Sequence, residues 1–245
     1  MEIKIVVPTH KRPERVLTKK AVSDVILCVA ESQKEAYYFH NADCEIVTHP
    51  DSVIGLLPKR NWIYKHFGNV MMLDDDIKAM HRLYTEPKEP HIVPPEVARK
   101  IIEQTADNCQ QIGAYLFGFN TAPNPLMFKA NEPIELTGYV TGCAQGLLKG
   151  SGLWYNENII LNCDYWISLL NAYHHRMVYK DMRFYLAQKD TFVGAGGLAE
   201  FRNLEAEESD FNLLKKYFGE AVQFKKDMGK VKRKHPFQKT ICLPF

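Results

Sequence analysis

Three consecutive aspartates, Asp74 to Asp76, are the residues whose type and spacing point most directly to chemistry. They follow Val70–Leu73, four apolar residues that predict a buried strand. Carboxylates this close together repel one another, so they favour a cation between them. A hard divalent ion such as Mg²⁺ or Mn²⁺ binds one or two carboxylates and completes its coordination with water and substrate phosphates. The cluster therefore predicts a metal-bound, phosphate-bearing substrate at a strand end, and a simple turn of aspartates is the alternative.

A glycine-rich segment further along the chain is a second candidate for phosphate binding. Asp190–Gly197 contains three glycines and is followed by Arg202. Glycines let the backbone approach a phosphate closely, and an arginine can bind it through two N–H groups. The spacing fits neither common nucleotide-binding fingerprint, so an ordinary surface turn is equally compatible.

Short apolar runs that alternate with helical patterns must position these residues. We predict strands over 3–7, 24–30, 44–48, 70–73, 114–119 and 139–149, with one or two more over 177–188. We predict helices from Pro13 and over 31–40, 57–66, 96–111, 164–174 and 204–218. Strands that are apolar on both faces and alternate with helices indicate a mainly parallel sheet in an α/β fold. In such sheets ligands bind beyond the carboxyl ends of the strands, where the Pro8–Arg12 loop and the aspartates both lie.

Composition is that of an ordinary globular protein, with 245 residues, 46% hydrophobic and 24% charged. The six cysteines form no CxxC pair, which argues against structural zinc and for a reducing compartment. The chain enters a strand at Ile3 and has no apolar run of membrane-spanning length, so we expect a cytoplasmic protein without membrane insertion.

Basic residues dominate the C-terminal part of the chain. From Lys215 onward they greatly outnumber the acidic residues Glu220 and Asp227. Such a tail binds polyanions, although a solvated lysine-rich helix has the same composition. We predict a single-domain core over 1–203, with a donor half (1–80) and an acceptor half (81–203), and a C-terminal helix with a basic tail over 204–245.

Four motifs taken in order resemble those of the GT-A type glycosyltransferases. They are Ile5–Pro13, Lys59–Asn61, Leu73–Asp76 and Asn162–Asp164. The resemblance implies the Rossmann-like GT-A fold, a nucleotide-sugar donor such as a UDP-sugar, and a divalent metal.

The same resemblance assigns roles to individual residues. Asp74 and Asp76 match the DxD motif, in which Asp76 binds Mn²⁺ or Mg²⁺ directly and Asp74 faces the ribose or a metal-bound water. Asp75 would lie beside the donor, point to the other side of the chain, and matter least. The remaining donor-binding residues would be Pro8, Thr9, Arg12, Arg60, Asn61, Gly196, Gly197 and Arg202.

Asp164 resembles the acid that inverting GT-A enzymes place at a helix start, and so would be the catalytic base. An N-cap aspartate that serves only the helix is the alternative.

A narrower resemblance concerns the acceptor. The core, the Gly196–Arg202 segment and the lysine-rich end resemble phage glycosyltransferases associated with TET/JBP-type hydroxylases. That likeness implies a hydroxymethylated pyrimidine such as hydroxymethylcytosine in phage DNA, presented out of the stack, in the host cytoplasm. The tail, with Phe224 and Phe237 interleaved, would hold the phosphate backbone.

Other functions remain open at this stage. The acceptor could instead be a glycan or a lipid-linked sugar. A two-metal nuclease or nucleotidyltransferase could use Asp74 and Asp76, with Asp164 as a further carboxylate. A catalytically silent nucleic-acid-binding module on the same fold is the third class, although the intact carboxylates argue against it.

Overall fold

A computed structural model describes residues 1–85, 91–189, 203–226 and 235–243 of the chain. The strands are β1 (Lys4–Pro8), β2 (Ile26–Ala30), β3 (Glu45–His49), β4 (Val70–Leu73), β5 (Ile77–Arg82), β6 (Ile92–Val93), β7 (Leu116–Asn120), β8 (Ile134–Glu135), β9 (Ala144–Leu147), β10 (Tyr179–Gln188), β11 (Val222–Phe224) and β12 (Lys239–Ile241). The helices are α1 (Thr18–Ala21), α2 (Lys34–His40), α3 (Leu56–Phe67), α4 (Pro95–Gln111), α5 (Cys163–His174) and α6 (Leu204–Phe218).

One large sheet forms the centre of the molecule. Its order is β3-β2-β1-β4-β9-β7-β10-β5-β6, and β8 pairs with β10. The first four strands in that order are mutually parallel, and β7 is parallel to β10. Because β9 is antiparallel to both β4 and β7, all six of those strands point the same way. The mainly parallel α/β fold predicted from the sequence is confirmed.

Apolar side chains cover both faces of this sheet. Val6 and Met72 pack on one face with residues of α3, α5 and α6. Val7 and Met71 pack on the other face with residues of α1, α2 and α4. Successive strand residues point to opposite faces, so a strand covered on both sides must be apolar throughout. This explains the unbroken apolar run that leads to the aspartates.

Strand β9 contains a glycine where no larger residue fits. A Cβ atom on Gly146 would lie 2.1 Å from the Phe117 ring. We therefore expect Gly146→Ala to destabilise the fold by about 1–3 kcal/mol, because the close-packed ring cannot move without straining its neighbours. Urea unfolding measures this change. The double variant Gly146→Ala/Phe117→Leu should recover part of the loss, and no recovery would contradict the assigned clash.

Several elements differ from the sequence-based expectation. The helix predicted from Pro13 is a 3₁₀ turn over Pro13–Arg15 followed by the short α1. The strand predicted over 139–149 is reduced to β9. The one or two strands predicted over 177–188 are a single strand, β10 (Tyr179–Gln188), with an irregular register between Asp181 and Tyr185. The sequence did not predict β5, since polar residues such as Lys78 and Arg82 interrupt the apolar pattern of its three buried residues.

The C-terminal elements pack against the core. Phe211 and Leu214 of α6 are buried among residues of α3 and α5. A small antiparallel hairpin of β11 and β12 follows, and the sequence did not predict it. The domain boundary at 203 stays a prediction. No helix in the described ranges is long and apolar enough to cross a membrane.

Candidate active site

A cleft of about 1670 Å³ opens at the carboxyl ends of β1 and β4. Most of the predicted site residues line it, namely Pro8, Thr9, Arg12, Arg60, Asp74, Asp75, Asp76 and Asp164. Gly196, Gly197 and Arg202 lie outside the described residues. The structure therefore brings residues from both halves of the chain to one place.

After β4, the side chains of Asp74 and Asp76 point to one side and that of Asp75 points to the other. The side-chain amide of Gln188, at the end of β10, donates to Asp74 Oδ2 at 3.3 Å and to Asp76 Oδ1 at 3.0 Å. Asp75 turns instead towards the loop after β1, where the Thr9 hydroxyl donates to its Oδ2 at 2.7 Å. Positive charge is favoured at the point where Asp74 and Asp76 meet, because two carboxylates converge there on one NH₂ group, that of Gln188.

Burial shifts the protonation of these carboxyls. Burial raises the pKa of Asp74 to about 6; the charges of Asp76 and Asp75 also raise it, while Arg60 opposes the shift. Burial also raises the pKa of Asp75, against the effects of Thr9 and Arg12. A cation bound beside these carboxylates would stabilise their charged forms and so lower their raised pKa values.

Arg60 lies beneath the cleft, with only 1% of its surface exposed. Its guanidinium donates to Asp74 Oδ1 (3.1 Å), the Gly142 carbonyl (2.6 Å), Gln145 Oε1 (2.5 Å) and Cys163 Sγ (3.3 Å). The sequence placed Arg60 beside the nucleotide. Arg60 lines the cleft, and its hydrogen bonds to protein groups link the end of β4 to the start of α5; its contact with the donor stays a prediction.

Asn61 is not brought to the cleft. Its amide exchanges hydrogen bonds with the backbone of Tyr155, at 2.8 Å and 2.7 Å, and donates to Glu157. Adjacent residues of a helix point about 100° apart, and Asn61 is not among the residues that line the cleft, whereas Lys59 and Arg60 are. A contact between Asn61 and the donor stays a prediction.

Arg60→Met should destabilise the fold by about 3 kcal/mol, because it removes the charged partner of Asp74 and the hydrogen bonds to the Gly142 carbonyl and Cys163 Sγ. Urea unfolding of the metal-free protein measures the loss. The control is Lys65→Met on the exposed face of the same helix, which should be nearly neutral. Equal stability of the two variants would contradict the structural role of Arg60.

The loop after β1 is held in place by Asp75, Lys59 and Tyr37, of which the sequence did not single out Tyr37. The Thr9 hydroxyl is 2.8 Å from the Tyr37 hydroxyl, which also accepts the Arg12 backbone N–H at 3.0 Å. Lys59 donates to the Thr9 carbonyl at 2.7 Å. The Arg12 guanidinium lies 3.4 Å from Asp75 Oδ1. Tyr37 belongs to no sequence motif, so nothing in the sequence around it indicated that it holds this loop.

Asp164 lies in the first turn of α5 and lines the same cleft. The helix begins at Cys163 with Asn162 as its N-cap, so Asp164 is not the cap residue. Its Oδ1 accepts the backbone N–H of Tyr165 at 2.9 Å. Burial raises the pKa of Asp164, and the Tyr165 N–H and Arg60 oppose that shift. The rings of Tyr139 and Tyr165, 5.8 Å apart and edge to face, also line the cleft.

Two residues of the predicted DNA-binding tail make contacts within the fold. Lys239 is 5% exposed and pairs with Glu207 at 2.8 Å. Phe224 stacks on Phe211 with ring centroids 4.0 Å apart. Both residues lie in the β11–β12 pair against α6, which was not predicted from the sequence.

The mainly parallel α/β sheet, with aspartates at the carboxyl end of β4 that line a cleft, fits the GT-A fold that the sequence motifs predicted. S. aureus TarS (residues 1–349) in complex with UDP-GlcNAc has a similar structure, with a TM-score of 0.52 and 12% identity over 87% of this chain and 65% of that one. TarS 1–349 without that ligand gives 0.45 at 12% identity, over 76% and 60% of the two chains. This chain thus spans less than two thirds of the length of those TarS chains. No curated protein matches it.

The family described as TET-Associated Glycosyltransferase matches residues 3–197. The chain belongs to this family. The match covers every described residue discussed above as a predicted part of the donor site, together with Asp164.

Proposed function

We propose that this protein moves a sugar from a UDP-sugar, in a metal-dependent and inverting reaction, to the hydroxyl of a hydroxymethylated pyrimidine in DNA. One observation carries the proposal. Asp74 and Asp76 meet at a single amide nitrogen in the cleft that Asp164 also lines. A site for a charged leaving group and a candidate base therefore share one space.

The donor side of the cleft is the loop after β1. Pro8, Thr9 and Arg12 border the nucleotide, together with Asp75, which holds Thr9 and faces Arg12. The TarS structure with a similar fold was solved with UDP-GlcNAc, which supports a UDP-sugar as the donor. Gly196, Gly197 and Arg202 stay predicted contacts to its diphosphate.

Asp76 and Asp74 are the residues that would hold Mn²⁺ or Mg²⁺. Carboxylate oxygens are the donors these ions prefer, and the Gln188 amide marks where the two side chains converge. The described residues contain no group of three Asp, Glu, His or Cys side chains that could hold a metal ion. Substrate phosphate and water would therefore complete the coordination. Bound there, the ion supplies Lewis-acid stabilisation of the departing diphosphate.

Asp164 accepts the proton of the attacking hydroxyl. The acceptor oxygen forms a bond to the anomeric carbon as the bond from that carbon to the diphosphate oxygen breaks. The diphosphate leaves with the bonding electron pair, and the proton ends on the Asp164 carboxylate. Attack from the side opposite the leaving group inverts the anomeric configuration. A pKa above the usual value for an aspartate makes Asp164 a stronger base for this step.

Aromatic side chains beside Asp164 support a planar acceptor. The rings of Tyr139 and Tyr165 flank it, and its negative charge raises the pKa of both phenols in addition to the larger effect of burial. A base taken out of the stack binds to its enzyme partly by packing on such rings. The name of the family, with its reference to TET, supports the same acceptor class.

The decisive experiment offers the protein several acceptors at once. Hydroxymethylcytosine DNA, unmodified DNA and a mixed glycan pool are incubated with Mn²⁺ and a mixture of nucleotide sugars, and the products are analysed by mass spectrometry. We expect one added sugar on the hydroxymethylcytosine nucleoside alone. Transfer to glycan alone would overturn the DNA acceptor and leave the glycosyltransferase reaction intact. Hydrolysis of DNA strands would favour the nuclease alternative.

A further inference from the structure

The segment just before α5 is held by a side chain from the C-terminal helix. Asp210 of α6 is fully buried, and its carboxylate accepts the backbone N–H groups of Ile160, Leu161 and Asn162 at 2.8, 2.8 and 2.9 Å. One carboxylate thus fixes three consecutive amides. Such bonds to a charged acceptor are among the stronger hydrogen bonds in proteins.

The C-terminal hairpin holds the same segment from a second direction. Lys239 of β12 donates to Asn162 Oδ1 at 2.8 Å and to Glu207 Oε2 at 2.8 Å. The lysine side chain is 2% exposed and that of Glu207 9% exposed, so this is a buried ion pair. Asn162 makes no side-chain cap bond to α5, and its amide oxygen serves Lys239 instead.

These contacts end two residues before Asp164. The backbone at Asn162 sets where α5 begins, since its carbonyl accepts the Trp166 N–H at 3.1 Å. The direction of the first turn of α5, and with it the position of the Asp164 carboxylate, therefore follows from where Asp210 and Lys239 hold the segment. A displacement of about 1 Å at a reacting group lowers turnover by about 100-fold.

We propose that α6 and the β11–β12 hairpin act as an active-site support, in which Asp210 and Lys239 are positioning residues for Asp164. The inference rests on the proposed function, because it takes Asp164 as the base. It adds that residues beyond the family match, which ends at 197, take part in the reaction. Neither residue touches the reacting atoms; each acts through the backbone or side chain of 160–162.

Two variants test this support without removing the base. Asp210→Asn replaces one acceptor oxygen with an NH₂ group that faces a backbone N–H. Asn162→Ala removes the contact to Lys239 but leaves the Lys239–Glu207 pair intact, so it is the milder change. The matched control is Glu208→Gln, an acid-to-amide change at an exposed position on the same helix.

The measurements separate positioning from stability. We measure kcat and its pH profile from the release of UDP, with UDP-GlcNAc, Mn²⁺ and hydroxymethylcytosine DNA as reactants. Titration with the donor measures donor affinity, and thermal unfolding shows whether each variant is folded. We expect kcat to fall about 10- to 100-fold in Asp210→Asn and less in Asn162→Ala. Donor affinity should be unchanged and the acidic limb of the profile displaced. Glu208→Gln should match the wild type.

The outcomes distinguish a failure of the positioning role from a failure of the proposed function. If Asp164→Asn is inactive while folded Asp210→Asn and Asn162→Ala keep wild-type kcat and pH profile, the positioning role is wrong and the proposed function stands. Should Asp210→Asn fail to fold, Asn162→Ala alone decides in the same way. A wild-type protein that turns over no nucleotide sugar, or an Asp164→Asn variant with full activity, would overturn the proposed role of Asp164 and this support with it.

Discussion

Asp76→Ala is expected to abolish metal-dependent binding of the donor. The affinity for a UDP-sugar in the presence of Mn²⁺ should fall by more than about 100-fold, because the change removes a carboxylate that would bind the ion directly. Losing only a hydrogen bond to a metal ligand already lowers metal affinity by about 10- to 100-fold. Isothermal titration with and without Mn²⁺ measures the loss. Asp76 shares the Gln188 amide with Asp74, so one carboxylate would be left at the point where two now meet.

The matched control is Asp43→Ala, which removes an exposed aspartate outside the cleft whose partner is Lys19. It should bind the donor as the wild type does. If Asp76→Ala keeps both the affinity and its dependence on Mn²⁺, the aspartates do not hold a metal. The DxD interpretation would then be withdrawn, whereas the fold and the family would stand.

Asp164→Asn is expected to stop transfer while the donor still binds. Loss of a general base lowers turnover by about 10²- to 10⁴-fold. The amide keeps the size of the side chain and one oxygen for the Tyr165 N–H, so the first turn of α5 should remain. UDP release and donor titration, measured on the same preparation, separate the two effects.

The pH profile gives an independent check of this base. The reactive form of Asp164 is the carboxylate, so turnover should fall as the pH drops through its pKa. Since burial raises that pKa, the limb should lie above the usual range for an aspartate. If the pH profile of the residual activity of Asp164→Asn lacks this acidic limb, Asp164 is confirmed as the base. An unchanged limb in that variant would assign it to another group.

The sequence predicted best the elements whose signal is local. The apolar runs of β1 and β4 needed no partner to be recognised, since a strand covered on both faces is apolar at every position. Asp75 illustrates a limit of that approach. It was expected to matter least, which stays a prediction. Alternate residues after β4 point to opposite sides, so Asp75 bonds to Thr9 and faces Arg12, and neither contact could be predicted from its neighbours in the sequence.

Local sequence patterns could not reveal contacts between residues that are far apart in the chain. Arg60 and Asn61 are neighbours in one motif, but the turn of the helix sends one beneath the cleft and the other to Tyr155. Lys239 belonged by composition to a basic tail, and only the folded hairpin shows it buried against Glu207. Gln188 had no sequence signal, because its role depends on the pairing of β10 with β5 next to the aspartates.

The bonds of Arg60 have a consequence for how this chain can change by mutation. Asp74, Gly142, Gln145 and Cys163 all accept from one guanidinium that has almost no contact with solvent. A substitution at any of these positions alters the fit at the other three, so the effects of single changes will not add. Laboratory evolution towards a new sugar or acceptor should therefore accumulate its mutations in the walls of the cleft and leave this group of five residues to change together or not at all.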